Sequence, residues 1–333
     1  MKKGIAVAGT MLVDTIYPID HYPENGGLAA VWDNITRATG GAVCNVIMDL
    51  AKLDEALPLT ALGAIGNDEN GSFIEENLSA FRNIDLSQVA RGGTTSFSAV
   101  MSDMSSNQRT FFSLKGASVG FSEAHIDWDR LNVRHLHAGY LLFLDELDGP
   151  DEEFGTKMAR LLASAQSRGI STSIDLVSGS FDRCKAIVPP ALKYTDYCII
   201  NETEAEGVTG VSLRKNGRVD EENIFPALRA LKDMGVSRWA VIHAPEGGYG
   251  LDCSGGEFVK KKSMSLPDGF IRGTTGAGDA FCSGVLYAAY LGKSLTEAIE
   301  LGIGCAACSL SEPGATEGMC SYEKVLEFYN KMK

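Results

Sequence analysis

Apolar residues recur along this chain at two spacings, which predict two kinds of element. Apolar runs of the length of buried strands lie at residues 4–8, 58–64, 133–138, 170–176, 197–200 and 238–243. Elsewhere, as in residues 42–53 and 151–166, apolar residues return every three or four positions, which is the spacing of a helix with one buried face. Strands that alternate with helices predict an α/β sandwich with a mainly parallel central sheet.

Two segments, residues 15–37 and 92–114, interrupt this alternation. The second contains TTSFSAVMSD and QRTFFSLKG, in which polar and apolar residues alternate as they do in strands of a small antiparallel sheet. Because the two segments share this character, we predict that they form one discontinuous β lid. The lid would cover an α/β body made of residues 1–14, 38–91 and 115–333.

Charge and cysteine content limit the classes of partner. The 333 residues carry a formal net charge of −13 at pH 7, which argues against nucleic acid and membrane partners and favours a small polar ligand. No uninterrupted run of 18 apolar residues occurs, so we expect no transmembrane helix. The eight cysteines lack the short, even spacings of a secreted disulfide framework, which predicts reduced thiols and a cytoplasmic protein.

Two residue pairs have the types needed for metal or redox chemistry, and for both we expect a structural role. Cys305 and Cys308 form a CxxC motif, but no second pair lies at zinc-finger spacing, so we expect small core residues. His135 and His137 would share one face of a strand. Because the sequence shows no third ligand near them, we expect structural histidines.

The stretch GTTGAGDAFCSG, residues 273–284, combines clustered glycines with one carboxylate. It matches neither a Walker loop nor a dinucleotide fingerprint, which disfavours an oxidoreductase. If a helix begins near Ala277, its first N–H groups and the positive end of its dipole would form an anion hole. A transferring phosphoryl group would fit there, with Asp279 taking a proton from an attacking hydroxyl. The alternative is a glycine-rich turn in which Asp279 only stabilises the first helical turn.

A second motif favours phosphoryl transfer. In TGGAVCNVIMDLAKL, residues 39–53, Gly40 and Gly41 precede a predicted helix that carries Asn45. This motif and GTTGAGD together resemble the signatures of the ribokinase-like carbohydrate kinases, the PfkB family, which are Gly-Gly followed by Asn and DTxGAGD. The resemblance covers residues 4–328. It implies a ribokinase-like three-layer sandwich and transfer of the γ-phosphoryl group of ATP to a hydroxyl of a small sugar.

The resemblance also implies roles for individual residues. It assigns the catalytic base to Asp279, and the anion hole to Gly276, Ala277 and Gly278. The residues it implies for sugar binding are Asp14, Gly40, Gly41, Asn45 and Arg109. A short carboxylate such as Asp14 suits vicinal hydroxyls because both of its oxygens accept charge-assisted hydrogen bonds. For Arg109, which would face substrate or phosphate, a solvated charge on an edge strand is the alternative.

Nucleotide and metal binding are implied for a further set of residues, namely Asn201, Glu204, Gly247, Gly248 and Thr274. Asn201 and Glu204 resemble the family's NxxE motif, which is associated with Mg²⁺, here through water. A helix-capping pair is the alternative interpretation of the same two residues. Gly247 and Gly248 would border the adenine pocket, although by themselves they suit an ordinary hairpin turn.

One position departs from the family pattern. Gly273 stands where DTxGAGD has its first aspartate, so activation by a monovalent cation is doubtful. The later segment SEPGATEG still supplies a loop where the cation loop is expected. Within the family, a nucleoside kinase is the alternative, since Tyr17, Tyr22 and Trp32 offer aromatic surface in the lid. A catalytically silent sugar-binding protein is another alternative. The sequence does not identify the sugar or the oligomeric state. A homodimer through the lid is one option.

Overall fold

Strands and helices alternate along most of the chain in the computed structural model, which describes residues 2–106, 108–177 and 181–332. The strands are β1 (Ile5–Gly9), β2 (Leu12–Ile19), β3 (Thr36–Gly40), β4 (Leu59–Ile65), β5 (Ile84–Asp85), β6 (Val89–Arg91), β7 (Ser96–Asp103), β8 (Gln108–Leu114), β9 (His135–Leu141), β10 (Pro150–Asp151), β11 (Gly155–Thr156), β12 (Ser171–Leu176), β13 (Tyr197–Asn201), β14 (Arg214–Lys215), β15 (Arg218–Val219), β16 (Trp239–Ala244), β17 (Gly247–Asp252) and β18 (Phe258–Lys262).

The helices occupy the connections between these strands and the C-terminal part of the chain. They are α1 (Gly41–Leu53), α2 (Glu69–Ser79), α3 (Asp145–Asp148), α4 (Lys157–Ser167), α5 (Phe181–Leu192), α6 (Glu202–Thr209), α7 (Glu221–Asp233), α8 (Ala277–Tyr290), α9 (Leu295–Ser309) and α10 (Tyr322–Met332), with 3₁₀ turns at Gly116–Gly120 and Glu123–His125. Among the described residues, no helix combines the length and the apolar character needed to cross a bilayer.

The large sheet has the strand order β18-β17-β16-β13-β12-β9-β1-β4-β5, and β6 also pairs with β4. Pairing is parallel from β16 to β5, whereas β17 and β18 are antiparallel to their neighbours. Ile5 of β1 lies between Leu59 of β4 and His135 of β9, which places β1 inside the sheet. The mainly parallel sheet predicted from the sequence is confirmed.

Helices cover both faces of this sheet, so successive residues of its strands enter two different cores. Ile5 and Val7 belong to the core that also contains side chains of α1, α8 and α9. Ala6 and Ala8 belong to the opposite core, which contains side chains of α4 to α7. A strand buried on both faces is apolar along its whole length, without alternation. This is why the sequence shows these strands as continuous apolar runs. The three layers confirm the predicted fold class.

A second, four-stranded sheet has the order β3-β2-β7-β8. β2 pairs antiparallel with β3 and parallel with β7, and β7 pairs antiparallel with β8. The two interrupting segments therefore contribute to one sheet, and β2 and β3 extend to Leu12 and Gly40. Asp14 lies in β2 beside Ser98 of β7, near the end of the sheet that joins the body.

The helix predicted for residues 151–166 begins six residues later than expected, at Lys157. Asp151 instead belongs to a short hairpin in which β10 pairs with β11. The Thr156 side chain accepts a hydrogen bond from the N–H of Ala159 at 3.2 Å and so caps the helix N-terminus. The apolar spacing continued through the hairpin, and only the cap marks the start of the helix.

Candidate active site

The two glycine-rich motifs meet at one edge of the large sheet. Parallel strands end there at Gly9, Leu141, Leu176 and Asn201, and in open α/β sheets this edge is where ligands bind. Helices α1 and α8, which follow the two motifs, pack against each other. The candidate site is therefore assembled from segments more than 200 residues apart, as the separation of 234 positions between Asn45 and Asp279 shows.

Asp279 occupies the first turn of α8 and is only 7 % exposed. Its Oδ2 accepts a hydrogen bond from Nδ2 of Asn45 at 2.9 Å. Its Oδ1 accepts one from the hydroxyl of Tyr140 at 2.7 Å. Both carboxylate oxygens are thus oriented by side chains from other elements, α1 and β9. The sequence indicated Asn45 through its motif but gave no signal for Tyr140.

Burial raises the pKa of Asp279 to about 6, and the hydrogen bonds from Tyr140 and Asn45 oppose this increase because they stabilise the charged form. A carboxylate with this pKa is mostly ionised at pH 7 and is more basic than an exposed aspartate. Both properties suit a group that takes a proton from a hydroxyl at neutral pH.

The backbone at the start of α8 requires glycine. Gly276 has φ of 78°, and a Cβ there would lie 2.3 Å from the carbonyl oxygen of Ala315. The N–H of Ala280 makes the first i to i−4 bond of the helix, to Gly276 O at 2.8 Å. The N–H groups of the preceding residues, Gly278 and Asp279, lie at the positive end of the helix dipole, which attracts anions. The predicted helix start at Ala277 is confirmed.

The second glycine pair brings α1 close to Asp14. A Cβ on Gly40 would lie 2.6 Å from Oδ2 of Asp14, so only glycine leaves room for that carboxylate. Gly41 has φ of 85°, and a Cβ there would lie 2.5 Å from the carbonyl oxygen of Thr10. Burial raises the pKa of Asp14 to about 6, while a hydrogen bond with Ser98 and the charge of Arg109 act in the opposite direction. The charge of Asp279 raises it further, which places the two carboxylates near each other.

The small sheet also contacts the glycine-rich loop of α8. Arg109 lies on β8, and its guanidinium donates a hydrogen bond to Oγ1 of Thr275. The side chain is partly buried, so the alternative of a fully solvated edge-strand charge does not describe it. This contact joins the small sheet to the loop that precedes Asp279.

A cleft of about 540 Å³ extends from the N-terminus of α8. The predicted residues Asn201, Gly247, Thr274, Ala277 and Gly278 line it, together with apolar side chains that include Phe281 and Leu310. A Cβ on Gly248 would instead meet Ile299 and Phe281 at 2.7 and 3.1 Å. The structure therefore brings Gly247 to the cleft, whereas Gly248 packs one layer behind it.

Asn201 and Glu204 form the helix cap that their spacing also predicted. The N–H of Glu204 donates to Oδ1 of Asn201, and the N–H of Asn201 donates to Oε2 of Glu204, both at 2.9 Å. This reciprocal capping box fixes both side chains at the start of α6. Capping and cation binding are compatible, because each carboxylate oxygen has more than one lone pair.

Asp175, near the end of β12, is a further acidic residue that the sequence analysis missed. Burial raises its pKa well above the ordinary range, and the charges of Glu204 and Asp279 raise it further. The charges of Glu204 and Asp279 thus act on the buried carboxylate of Asp175, where like charges repel strongly. A hard divalent cation bound by carboxylate oxygens relieves such repulsion, so the donor set fits Mg²⁺.

His135 and His137 have hydrogen-bond partners within the sheet. Both nitrogens of His135 contact serine hydroxyls, and Nδ1 of His137 lies 2.8 Å from the hydroxyl of Ser173. Burial lowers the pKa of each to about 3, so both rings are neutral. Ligand atoms of His137, Asp175 and Cys282, all three buried, lie within 4.8 Å of one another, a grouping that the sequence did not show.

Gly273 packs directly beneath the segment that resembles a cation loop. A Cβ on Gly273 would lie 2.7 Å from the carbonyl oxygen of Pro313 and 2.9 Å from that of Glu312. The backbone of this segment therefore occupies the space that any side chain at position 273 needs.

The fold and this arrangement define a class of protein: an α/β enzyme with a buried carboxylate at a helix N-terminus and a small sheet next to it. Residues 2–321 match the family described as pfkB family carbohydrate kinase, and the chain belongs to that family. It is therefore an ATP-dependent carbohydrate kinase, a phosphotransferase with an alcohol group as acceptor.

Comparisons with individual proteins agree with this family. The chain is 23 % identical to ribokinase of Haemophilus influenzae over 338 residues, which cover 98 % of this chain and 99 % of that one. Its fold is similar to that of Arabidopsis thaliana ribokinase in complex with ribose and ATP, with a TM-score of 0.80, 21 % identity and 99 % coverage of both chains. It is also similar to the nucleoside kinase of Methanocaldococcus jannaschii, with a TM-score of 0.75, 17 % identity and 99 % coverage of both.

Proposed function

We propose that this kinase phosphorylates a hydroxyl of a small sugar, with Asp279 as the general base. The observation that carries the proposal is the environment of the Asp279 carboxylate, which is buried at a helix N-terminus and held by Asn45 and Tyr140. As the sugar hydroxyl attacks the γ-phosphorus of ATP, its proton passes to Asp279. The N–H groups of the Gly276–Gly278 segment stabilise the charge on the transferring group.

Sugar binding is assigned to Asp14 together with Gly40, Gly41 and Asn45. The Asp14 carboxylate lies over Gly40 and close enough to Asp279 for the charge of Asp279 to raise its pKa. A sugar whose vicinal hydroxyls donate to Asp14 would present another hydroxyl toward Asp279. The absence of a side chain at Gly40 leaves room for the Asp14 carboxylate, which keeps its oxygens available to the sugar hydroxyls.

The nucleotide is assigned to the cleft that begins at Thr274 and Ala277. Its volume of about 540 Å³ and its largely apolar lining suit a purine base, with Gly247 at the border. Glu204 and Asp175 would hold Mg²⁺, with Asn201 acting through water. When bound, Mg²⁺ would neutralise phosphate charge during transfer. Arg109, which contacts Thr275 beside the cleft, would add a positive charge near the phosphates.

The small sheet is proposed to be a lid formed by residues 15–37 and 92–114 over a body of residues 1–14, 38–91 and 115–333. The contact of Arg109 with Thr275 supports this role, because closure would bring the guanidinium to the phosphate and exclude water. Phe111 and Phe112 of β8 are more than half exposed on its edge, which favours pairing of two lids in a homodimer. Sedimentation of the wild type and of Phe111→Ser tests this, and a monomeric wild type would refute it.

Activation by a monovalent cation is proposed to be weak. Gly273 supplies no carboxylate, and the backbone of Glu312 and Pro313 fills the adjacent space. Carbonyl groups alone hold such a cation less strongly than carbonyl groups and a carboxylate together.

A nucleoside kinase is the second candidate, favoured by the exposed aromatic rings of Tyr22 and Trp32 between β2 and β3. Both candidates use the same base and the same diol. Screening ATP-dependent phosphorylation of pentoses, hexoses, keto-deoxy acids and nucleosides separates them. Turnover of a free sugar by the wild type, with its loss in Asp279→Asn, supports the first candidate. Turnover of nucleosides alone supports the second, and no turnover of any acceptor would leave a sugar-binding protein.

A further inference from the structure

Two cysteines, Cys308 and Cys320, lie next to each other at the C-terminal end of α9. Cys308 is in the last turn of α9, and Cys320 comes two residues before α10. Their sulfur atoms are 4.0 Å apart. The CxxC partner Cys305 is also buried on α9, but the sulfur contact of Cys308 is with the residue that follows it by twelve positions. Sequence spacing gave no indication of this pair.

The two thiols differ in accessibility. Cys320 is partly exposed, whereas the other seven cysteines are buried. The interaction with Cys308 lowers the pKa of Cys320, partial burial opposes that effect, and the charges of Lys324 and Lys52 reinforce it. Thiolates react with oxidants faster than thiols do. Cys320 is therefore the thiol that an oxidant in solution reaches first, with Cys308 in position to react next.

The residues between these two cysteines, 309–319, form the bracketed segment, and this segment supports the glycine-rich loop. A Cβ on Gly273 would lie 2.7 Å from the carbonyl oxygen of Pro313, and a Cβ on Gly276 would lie 2.3 Å from that of Ala315, so neither glycine can carry a side chain. Leu310 lines the cleft, and its carbonyl oxygen accepts a hydrogen bond from the N–H of Arg272 at 2.9 Å. Movement of the bracketed segment must therefore move the loop or open a gap beneath it.

The C-terminal part of the bracketed segment packs against the end of α9. A Cβ on Gly318 would lie 2.2 Å from the carbonyl oxygen of Cys308, so the backbone at Gly318 packs directly on α9. Nζ of Lys52 on α1 donates to the carbonyl oxygen of Thr316 at 2.6 Å. A disulfide has sulfur atoms about 2 Å apart, so bonding would draw the two sulfur atoms about 2 Å closer.

We propose that Cys308 and Cys320 form a reversible disulfide when the enzyme meets a peroxide, and that this bond lowers kinase activity through the bracketed segment. The Cys320 thiolate attacks one peroxide oxygen, which breaks the O–O bond and, after protonation of the leaving oxygen, gives a sulfenic acid and one water. The Cys308 thiol then attacks the sulfur of the sulfenic acid and releases a second water. Two electrons pass from the thiols to the peroxide, and a dithiol reductant reverses the process.

The consequence for activity rests on the proposed function, whereas the disulfide does not. Displacement of groups that position a substrate by about 1 Å lowers rates by up to about a hundredfold. We expect oxidation to lower kcat/KM for ATP by at least about tenfold, because the bracketed segment borders the cleft assigned to the nucleotide. The KM of the acceptor should change little, since Asp14, Gly40 and Asn45 lie on other elements.

The test treats the purified full chain with hydrogen peroxide, blocks remaining thiols by alkylation and maps peptides by mass spectrometry. We expect a Cys308–Cys320 cross-link that dithiothreitol removes, with a parallel loss and recovery of kcat/KM for ATP. Cys320→Ser should form no such cross-link and keep its activity in peroxide. Cys305→Ser, one turn earlier on α9, is the matched control and should still form it.

Two results would overturn the proposal. Oxidation of Cys320 to a sulfinic acid without a cross-link would show that Cys308 cannot reach it. A complete cross-link with unchanged kcat/KM would remove the link to activity. If no acceptor is phosphorylated by the reduced enzyme, the proposed function fails, yet the peptide map and the melting temperatures of the oxidised and reduced forms still decide whether the disulfide forms and constrains the fold.

Discussion

Replacing Tyr140 with phenylalanine tests how the protein sets the basicity of Asp279. The substitution removes one hydroxyl and keeps the ring, while the bond from Asn45 to the other carboxylate oxygen is unaffected. A hydrogen bond to a charged group stabilises it by about 1.5 to 3 kcal/mol, and about 1.4 kcal/mol corresponds to one pKa unit. Loss of this bond should therefore raise the pKa of Asp279 by about one to two units.

The sign of the effect on activity follows from the role of the base. Asp279 must be ionised to accept a proton, so activity falls as the pH drops through its pKa. In the wild type this pKa is about 6, and in Tyr140→Phe we expect about 7 to 8. At pH 7 the ionised fraction would fall from about 90 % to between about half and a tenth. The acidic limb of the kcat/KM profile should move to higher pH, and activity should recover at alkaline pH.

The assay is the pH dependence of kcat/KM for the acceptor, which reports the pKa of groups in the free enzyme. Tyr287→Phe is a matched control, because Tyr287 donates a hydrogen bond to a carboxylate oxygen of Asp54 at 3.0 Å, away from the site. Its profile should coincide with that of the wild type. An acidic limb in Tyr140→Phe that stays in place, or moves to lower pH, would refute the assignment of Tyr140 as the residue that positions Asp279.

Two further substitutions test the sugar and nucleotide assignments. Asp14→Ala removes the acceptor of two proposed hydrogen bonds, so it should weaken acceptor binding by at least about 10- to 100-fold, the equivalent of one charge-assisted hydrogen bond, and leave ATP binding unchanged. Calorimetry with each ligand checks this, and equal losses for both would contradict it. Gly273→Ala should raise the KM for ATP and lower the melting temperature, because a Cβ there would lie 2.7 Å from the carbonyl oxygen of Pro313. Gly92→Ala is the control and should do neither, because nothing lies within 4 Å of a Cβ at that position. Potassium in place of a bulky organic cation at fixed ionic strength should change wild-type activity little, and strong activation would show that another group replaces the missing carboxylate.

The sequence predicted those parts of the fold that depend on local patterns. The continuous apolar runs predicted the parallel strands because a strand covered on both faces has no polar side. The Gly-Gly and GAGD motifs predicted where α1 and α8 begin, since both beginnings require glycine. The start of α4 was missed because the apolar spacing continues through Asp151 and the hairpin that follows it.

Local patterns could not predict the side chains that reach the site only because strands distant in the sequence pair with each other. Asp175 lies in a run that reads as an ordinary strand, and Tyr140 lies two residues beyond the end of another. Their proximity to Asp279 depends on the order β12-β9-β1 in the sheet. The contact of Cys308 with Cys320 likewise depends on how the bracketed segment returns to α9. A single sequence carries no signal for such contacts because they depend on tertiary packing and not on the local spacing of residues.

The central claim is that Asp279 removes the proton from the acceptor hydroxyl, and Asp279→Asn tests it most directly. The amide is nearly isosteric with the carboxylate but cannot accept a proton at neutral pH. With the acceptor identified in the screen, we expect turnover to fall by about a hundredfold to ten-thousandfold. Binding of ATP and of the acceptor, followed by calorimetry, should stay near the wild-type values. Turnover close to that of the wild type, in a variant that binds both ligands, would contradict the account.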